Sequence, residues 1–276
     1  ILLNIIPKNP IESLATADML PIIVFALFVG IMLAKLGSKT STVANFFSQF
    51  NDIMMEMTMV VMSVAPIGVF CLIARTFANI GFSAFVPMLK YMGAVILALA
   101  IQCFGVYQIL LFLFTRLNPM RFIKKFFPVM SFAFTTATSN ATIPLSIDTL
   151  HKKIGVSKKI SSFTIPLGAT VNMDAVSILM SFMIMFFANA CGINVSISMM
   201  IIILLANVLL SVGTPGIPGG AIASFAALAT MAGLPAGVMG VYISINTLCD
   251  MGATCVNVIG DMAGCVVLKE KIKLED

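Results

Sequence analysis

The sequence predicts an all-α integral membrane protein: spanning helices combined with two re-entrant helical hairpins of opposite orientation. Three observations carry that reading. Hydrophobic residues fill 60% of 276 positions and charged residues 10%, with a mean hydropathy of +1.09, and no soluble domain of this size needs so apolar a surface. Short apolar arms occur twice as pairs around a polar or Gly/Pro-rich tip. The stretch 160–268 has no Lys, Arg or His, yet it carries Asp174, Asp250 and Asp261.

Taken in order, 1–18 reads as a loop with Pro7 and Pro10, and Met19–Leu36 as an apolar helix of spanning length. The small, polar stretch 37–49 is expected to be a connector. A second long helix is expected over 50–80, kinked at Pro66-Ile-Gly68, and a third over 87–115. The arm 120–137 runs into Thr135-Thr-Ala-Thr-Ser-Asn-Ala-Thr-Ile-Pro144, a content too polar for a lipid-facing helix, and 145–154 is the return arm. The outline recurs as an arm over 199–212, the tip Gly213-Thr-Pro-Gly-Ile-Pro-Gly-Gly220 and a return over 221–233. Arms of a dozen to sixteen residues reach only about 20–25 Å, short of a hydrocarbon core of about 30 Å. Irregular backbone at that depth is tolerated where it lines a site or is covered by protein. A long helix follows each hairpin, over 162–190 and 236–268, so the unit is an internal repeat of the kind that places substrate and ions near the midplane.

Charge placement tests this topology. Arg116, Arg121, Lys124, Lys125, Lys152, Lys153, Lys158 and Lys159 flank the first hairpin, and Lys269, Lys271 and Lys273 follow the last helix. If the first hairpin opens to the cytoplasm, every basic cluster falls on that face and the second hairpin opens outward. The net charge of +5 is thus a set of membrane-edge charges, not a nucleic-acid surface. His151, in a basic loop, reads as solvated, and the six Cys, with no CxxC pair, as packing residues.

Asn246, Asp250, Thr254, Asn257 and Asp261 recur at helical spacing and form one polar stripe on the final helix. Carboxylates with no basic residue in their own segment need a bound cation, a ligand ammonium or a proton. An aspartyl intramembrane protease would need Gly-x-Gly-Asp and Tyr-Asp. Here the segments are Val258-Ile-Gly-Asp261 and Met173-Asp174, so an enzyme is not expected. A channel remains an alternative, which ohmic current without substrate would reveal.

Four motifs, in order and each on its expected element, resemble the dicarboxylate/amino acid:cation symporters, which have the glutamate-transporter-like fold. They are Ser139-Asn-Ala-Thr-Ile-Pro144, Pro166-Leu-Gly-Ala-Thr-Val-Asn-Met-Asp174, Gly213-Thr-Pro-Gly-Ile-Pro-Gly219 and Asp250-Met-Gly-Ala-Thr-Cys-Val-Asn-Val-Ile-Gly-Asp261. The likeness runs from residue 2 to about 270, as in a member without its first three helices. It implies a scaffold and trimerisation part over 1–86, a transport domain over 87–276, a homotrimer among membrane lipids, and elevator-type symport in a bacterial inner membrane.

The resemblance implies Na+ as the coupling ion. One sodium would use Gly168, Asn172, Asn257 and Asp261. A second would use Asn172 and Asp174 with residues of the third helix. A third would use Thr170, the Met173 sulfur and backbone oxygens at Ser211, Val212 and Thr214. For the substrate, it places the amino group on Asp250, and the α-carboxylate on Thr254, Asn257 and the tips, including Ser139, Asn140, Ile217, Pro218 and Gly219. The departures are informative. Acidic-substrate members carry an Arg where Ala253 stands, supported by an acid where Asn246 stands, and the alternative Arg position is Ala137. Val176 replaces a Thr. A neutral amino acid is therefore expected, with an acidic amino acid or dicarboxylate, sodium- or proton-coupled, as the alternative.

Overall fold

The computed structural model describes residues 9–15, 19–64, 85–214, 216 and 218–272, with positions 67, 70, 71, 74 and 78. No strand occurs among the described residues. The chain divides into two compact units, Ile1–Ala74 and Arg75–Asp276.

In the first unit, Pro10–Ala15 forms α1, capped by the Asn9 side chain, which accepts from the Ile11 amide at 3.1 Å. Met19–Leu36 is α2 and Ser41–Ser63 is α3, with a 3-10 turn over Gly37–Thr40 between them. The turn is entered at Gly37, whose φ of +57° suits glycine. The expectation of a connector over 37–49 and a helix start at 50 is corrected here. The helix starts at Ser41, because small polar residues without Gly or Pro do not break one, and Phe46 stacks on Phe50 a turn later at 6.0 Å. The expected kink at Pro66 and Gly68 lies outside the described residues.

The second unit opens with α4, Phe85–Ala100, which continues through a π-helical turn, Ile101–Val106, into α5, Tyr107–Thr115. Its buried side is Tyr91, Val95, Leu99, Cys103, Tyr107 and Leu111. Steps of four overshoot an α-helical turn by about 40° each, so a plain α-helix would swing this row off the core. The wider turn, closed by the Tyr107 amide donating to the Gln102 carbonyl, takes back part of that drift.

The first hairpin is α6, Pro119–Thr136, and α7, Ser139–Thr149. Only Ala137, in the left-handed region at φ +49°, and Thr138 separate them. A long irregular tip over 135–144 is therefore corrected to a two-residue corner. The Thr135 and Thr136 hydroxyls donate to carbonyls one turn back, and the Thr142 hydroxyl donates to Ser139, so these polar residues are satisfied within helices. Ser139, Thr142, Ser146 and Thr149 form a buried hydroxyl row on α7. At the open end the Lys125 ammonium donates to the Lys153 carbonyl at 2.6 Å and Lys153 to that of Lys125 at 3.0 Å, stapling the arms. His151 belongs to a second π turn, Leu150–Ile154, and its Nδ1 lies 3.1 Å from the Val156 carbonyl. It is a structural contact, not a solvated loop residue.

Lys158–Val171 is α8 and Asp174–Ala190 is α9, separated by non-helical Asn172 and Met173. Ile197–Val212, α10, and Ala221–Met231, α11, flank an irregular tip and form the second hairpin. Their 16 and 11 residues make arms of about 24 and 17 Å, below bilayer thickness. Val238–Lys271 is α12, which packs against α4 through α9 and is buried without interruption over 256–263. A helix surrounded on all sides can carry polar groups only if they meet partners. Across both units the stretches Val24–Met54, Val86–Thr115, Lys158–Ala190 and Val238–Lys271 are long and apolar enough to cross a membrane.

Candidate functional site

The two hairpin tips meet. The Gly216 carbonyl accepts the Thr138 hydroxyl at 2.7 Å and the Asn140 amide at 3.4 Å. A Cβ on Gly216 would stand 2.8 Å from the Ala169 carbonyl oxygen, 3.2 Å from Asn140 Oδ1 and 3.3 Å from Ser139 Cβ. Only glycine lets the second tip sit against α7 and the end of α8. Three residues on, Gly219, at φ +72°, donates its amide to Asp250 Oδ2 at 3.0 Å. Pro218 and Gly219 are half-buried beside it, and Ile217 lies outside the described residues.

The five stripe residues of α12 are all buried, none more than 7% exposed. Asn172, at the break between α8 and α9, donates from Nδ2 to Asp261 Oδ1 at 3.0 Å and to the Asn257 carbonyl at 3.1 Å. Asn257 answers with its side chain: Oδ1 accepts the Ala175 amide at 2.9 Å, and Nδ2 donates to the Met173 sulfur at 3.3 Å. The unwound residues are thus pinned from α12. Gly168 comes so close to the same carboxylate that a Cβ there would lie 2.5 Å from Asp261 Oδ1. Gly168, Asn172, Asn257 and Asp261 therefore share one small volume.

Asp174 opens α9, where the helix dipole favours negative charge. Its Oδ2 accepts from the Gln102 amide, and the Tyr107 hydroxyl lies against the same carboxylate. Among the described residues, each of these three carboxylates is met by an amide and none by Lys or Arg. Lys90, a candidate partner, is exposed on α4, and Arg75 lies outside the described residues.

Other expected residues are placed differently. Thr170 is exposed and its hydroxyl donates to the Pro166 carbonyl. The Ser211 and Thr214 hydroxyls donate to Val208 and Leu210, and Thr214 also pairs with Ser224 across the second hairpin at 2.9 Å. Val212 is half-buried at the end of α10. Ala253 is fully enclosed, Val176 and Thr254 are buried, and Asn246 Oδ1 has no partner among the described residues. Sequence reasoning missed Gln102 and Tyr107, because a few polar residues in an apolar span read as background. Two glutamines and a tyrosine within seven positions were the available signal.

Oxygen donors from carboxylates, amides and carbonyls suit hard cations. Among the described residues no group of three His, Cys or carboxylate side chains is poised for a transition metal. Two tip-to-tip hairpins, an interrupted helix and a long helix carrying buried carboxylates define an all-α membrane-protein fold. The chain belongs to the sodium:dicarboxylate symporter family, whose family model matches residues 1–271. It is 30% identical over 269 residues to the proton/glutamate-aspartate symporter of Bacillus subtilis (strain 168), covering 98% of this chain and 64% of that one. It is 33% identical over 257 residues to the neutral amino acid transporter B(0) of Mus musculus, covering 92% and 46%. The proton/sodium-glutamate symport protein of Bacillus caldotenax is 33% identical over 267 residues, covering 97% and 63%. The chain thus spans roughly half to two thirds of the length of these relatives.

Proposed function

We propose that the whole protein is a secondary active symporter that couples sodium entry to uptake of a neutral amino acid. The observation that carries this reading is the arrangement around α12, where Asp250 faces the second hairpin tip and Asp261 faces the α8–α9 break. In this reading Asp250 holds the substrate ammonium, replacing the Gly219 amide it now accepts. Thr254, Asn257, Ser139, Asn140 and the second tip hold the α-carboxylate. Gly168, Asn172, Asn257 and Asp261 take one sodium, Asn172 and Asp174 a second, and Thr170, Met173 and the Ser211–Val212–Thr214 backbone a third. Residues 87–276 would move as the transport domain against 1–86, within a homotrimer in a bacterial inner membrane.

Neutral specificity rests on Ala253 and Asn246. Ala253 is fully enclosed and offers no charge, and Asn246 is the neutral counterpart of the acid that would support an Arg. The acidic-substrate reading has its own support, since relatives named for glutamate are as similar to this chain as those named for neutral amino acids. Thermal stabilisation of the purified whole protein by a panel of amino acids, in sodium and in choline, separates them. A ligand at a hundredfold its Kd stabilises by about 2.7 kcal/mol. Neutral amino acids should raise the melting temperature in sodium only. Stabilisation by glutamate or aspartate alone would replace the neutral assignment. No stabilisation by any amino acid in either salt would end the symport reading.

A further inference from the structure

Three ammonium groups gather at the open end of the first hairpin. Lys125 of α6 donates to the Lys153 carbonyl at 2.6 Å, and Lys153 of the second π turn donates back to the Lys125 carbonyl at 3.0 Å. Lys269, in the last turn of α12, donates to the Ile154 carbonyl at 3.1 Å. Lys153 and Ile154 are adjacent, so ammoniums from three elements stand on one short stretch of backbone. Lys125 and Lys153 are exposed and Lys269 is half-buried. Placement at a membrane edge explains why lysines occur here. It does not explain why three of them are drawn together, where like charges repel.

Carboxylates do not relieve that repulsion. Neither 119–136 nor 149–171 contains an Asp or Glu. Asp148 is taken by Lys152 at 2.8 Å, and Glu270 forms no ion pair among the described residues. Arg121, one turn before Lys125 on α6, and Lys124 add two more exposed cations to the same end. Each ammonium has three donors and spends one on a carbonyl, which leaves the others for an anion. Held by the backbone, the three side chains have also given up part of their rotamer freedom before any ligand arrives, which lowers the cost of binding.

Position and neighbours decide the kind of anion. The spans Lys158–Ala190 and Val238–Lys271 both have an end here, at the level where hydrocarbon gives way to headgroups. Beside Lys125 on α6, Met120, Lys124 and Phe127 follow one another at helical spacing, all exposed. A lysine between two exposed apolar side chains suits an amphiphile, whose charged head and hydrocarbon chain are joined. A free phosphate would leave Met120 and Phe127 with nothing to meet.

We propose that the open end of the first hairpin binds an anionic phospholipid, with the phosphate on Lys125, Lys153 and Lys269 and an acyl chain along Met120 and Phe127. The inference goes beyond the symport reading and uses none of its sodium or substrate residues.

The test is thermal stability of the purified whole protein in neutral detergent, titrated with dioctanoyl phosphatidylglycerol, dioctanoyl phosphatidylcholine or inorganic phosphate. Phosphatidylglycerol should stabilise saturably, and the other two should not at matched concentration. Combining Lys125→Gln, Lys153→Gln and Lys269→Gln should raise half-saturating phosphatidylglycerol at least tenfold. Arg at the same three positions keeps the charge and should keep the wild-type response. Lys90→Gln is the control, an exposed lysine near the far end of the Val86–Thr115 span, and should change nothing. Equal stabilisation by phosphatidylcholine would reduce the surface to a general lipid contact, and equal stabilisation by phosphate would make it a free-anion site. Either result overturns the proposal, as does an unchanged response in the Gln variant. Should that variant fail to fold, the wild type decides. Raising choline chloride from about 50 to about 500 mM should weaken phosphatidylglycerol binding at least threefold, and a response indifferent to salt would refute the assignment.

Discussion

Replacing Gly168 with Ala puts one methyl group where the Asp261 carboxylate already lies. The new carbon would stand 2.5 Å from Oδ1, 2.8 Å from Cγ and 3.1 Å from Cβ of Asp261. Comfortable contact is about 3.5 Å, so the carboxylate must retreat by about 1 Å. Its 3.0 Å bond from Asn172 is then lost unless Asn172 follows, and Asn172 is itself tied to the Asn257 carbonyl at 3.1 Å. A hydrogen bond to a charged group contributes about 1.5–3 kcal/mol, and a rotamer pushed off its well costs about 0.5–1.5 kcal/mol. The combined loss of about 2–4.5 kcal/mol corresponds to about 30- to 2,000-fold in affinity if it falls on the bound cation. Sodium titration of thermal stability measures it. Gly264→Ala is the matched control, one turn beyond Asp261 on α12, with nothing within 4 Å of its new carbon. That variant should gain up to about 1 kcal/mol of stability and keep its sodium response. A folded Gly168→Ala protein with half-saturating sodium within twofold of wild type would refute Asp261 as a ligand.

Asp250→Asn keeps an oxygen for the Gly219 amide but loses the charge, so amino-acid binding should disappear while sodium binding stays within a few-fold. Calorimetry showing retained affinity would remove the ammonium role. Ala253→Arg alone should destabilise by about 3–5 kcal/mol, the usual effect of a buried charge without a partner. Adding Asn246→Asp should restore stability and shift competition toward aspartate and glutamate; if the double variant does neither, position 253 does not face the substrate side chain. Gly216→Ala should part the tips, since its methyl would sit 2.8 Å from the Ala169 carbonyl. Losing two neutral hydrogen bonds of about 1 kcal/mol each predicts faster proteolysis between 213 and 220 and substrate affinity lower by tenfold or more. Unchanged cleavage would mean that the tips do not close on each other in solution.

Much of the site was legible because it is written in exceptions. Asn172 and Met173 interrupt an apolar helix, and the Gly and Pro of 213–220 cannot continue one, so both breaks fall on residues that stand out from their apolar surroundings. The α12 stripe followed from spacing alone, and its burial from the absence of basic partners. Other features have no local signature. Ser41 starts a helix through residues that also suit a loop, and Ser139–Pro144 is helical because its hydroxyls find carbonyls within the same turn. Gln102 and Tyr107 were invisible because their common direction depends on a π turn, and a period of 3.6 assigns them to different sides. The lysine staple between Lys125 and Lys153 joins residues 28 positions apart through backbone oxygens, which no side-chain pattern encodes.

The seam at Gly216 makes the two tips mutually dependent. One carbonyl serves the Thr138 hydroxyl and the Asn140 amide, so whichever tip withdraws first breaks both bonds at once. The full loss comes with the first departure, and the second tip then has nothing at that seam to hold it. The contact therefore favours the two tips together over either tip apart, and it does not distinguish which of them leaves. The seam acts as one latch shared by both tips.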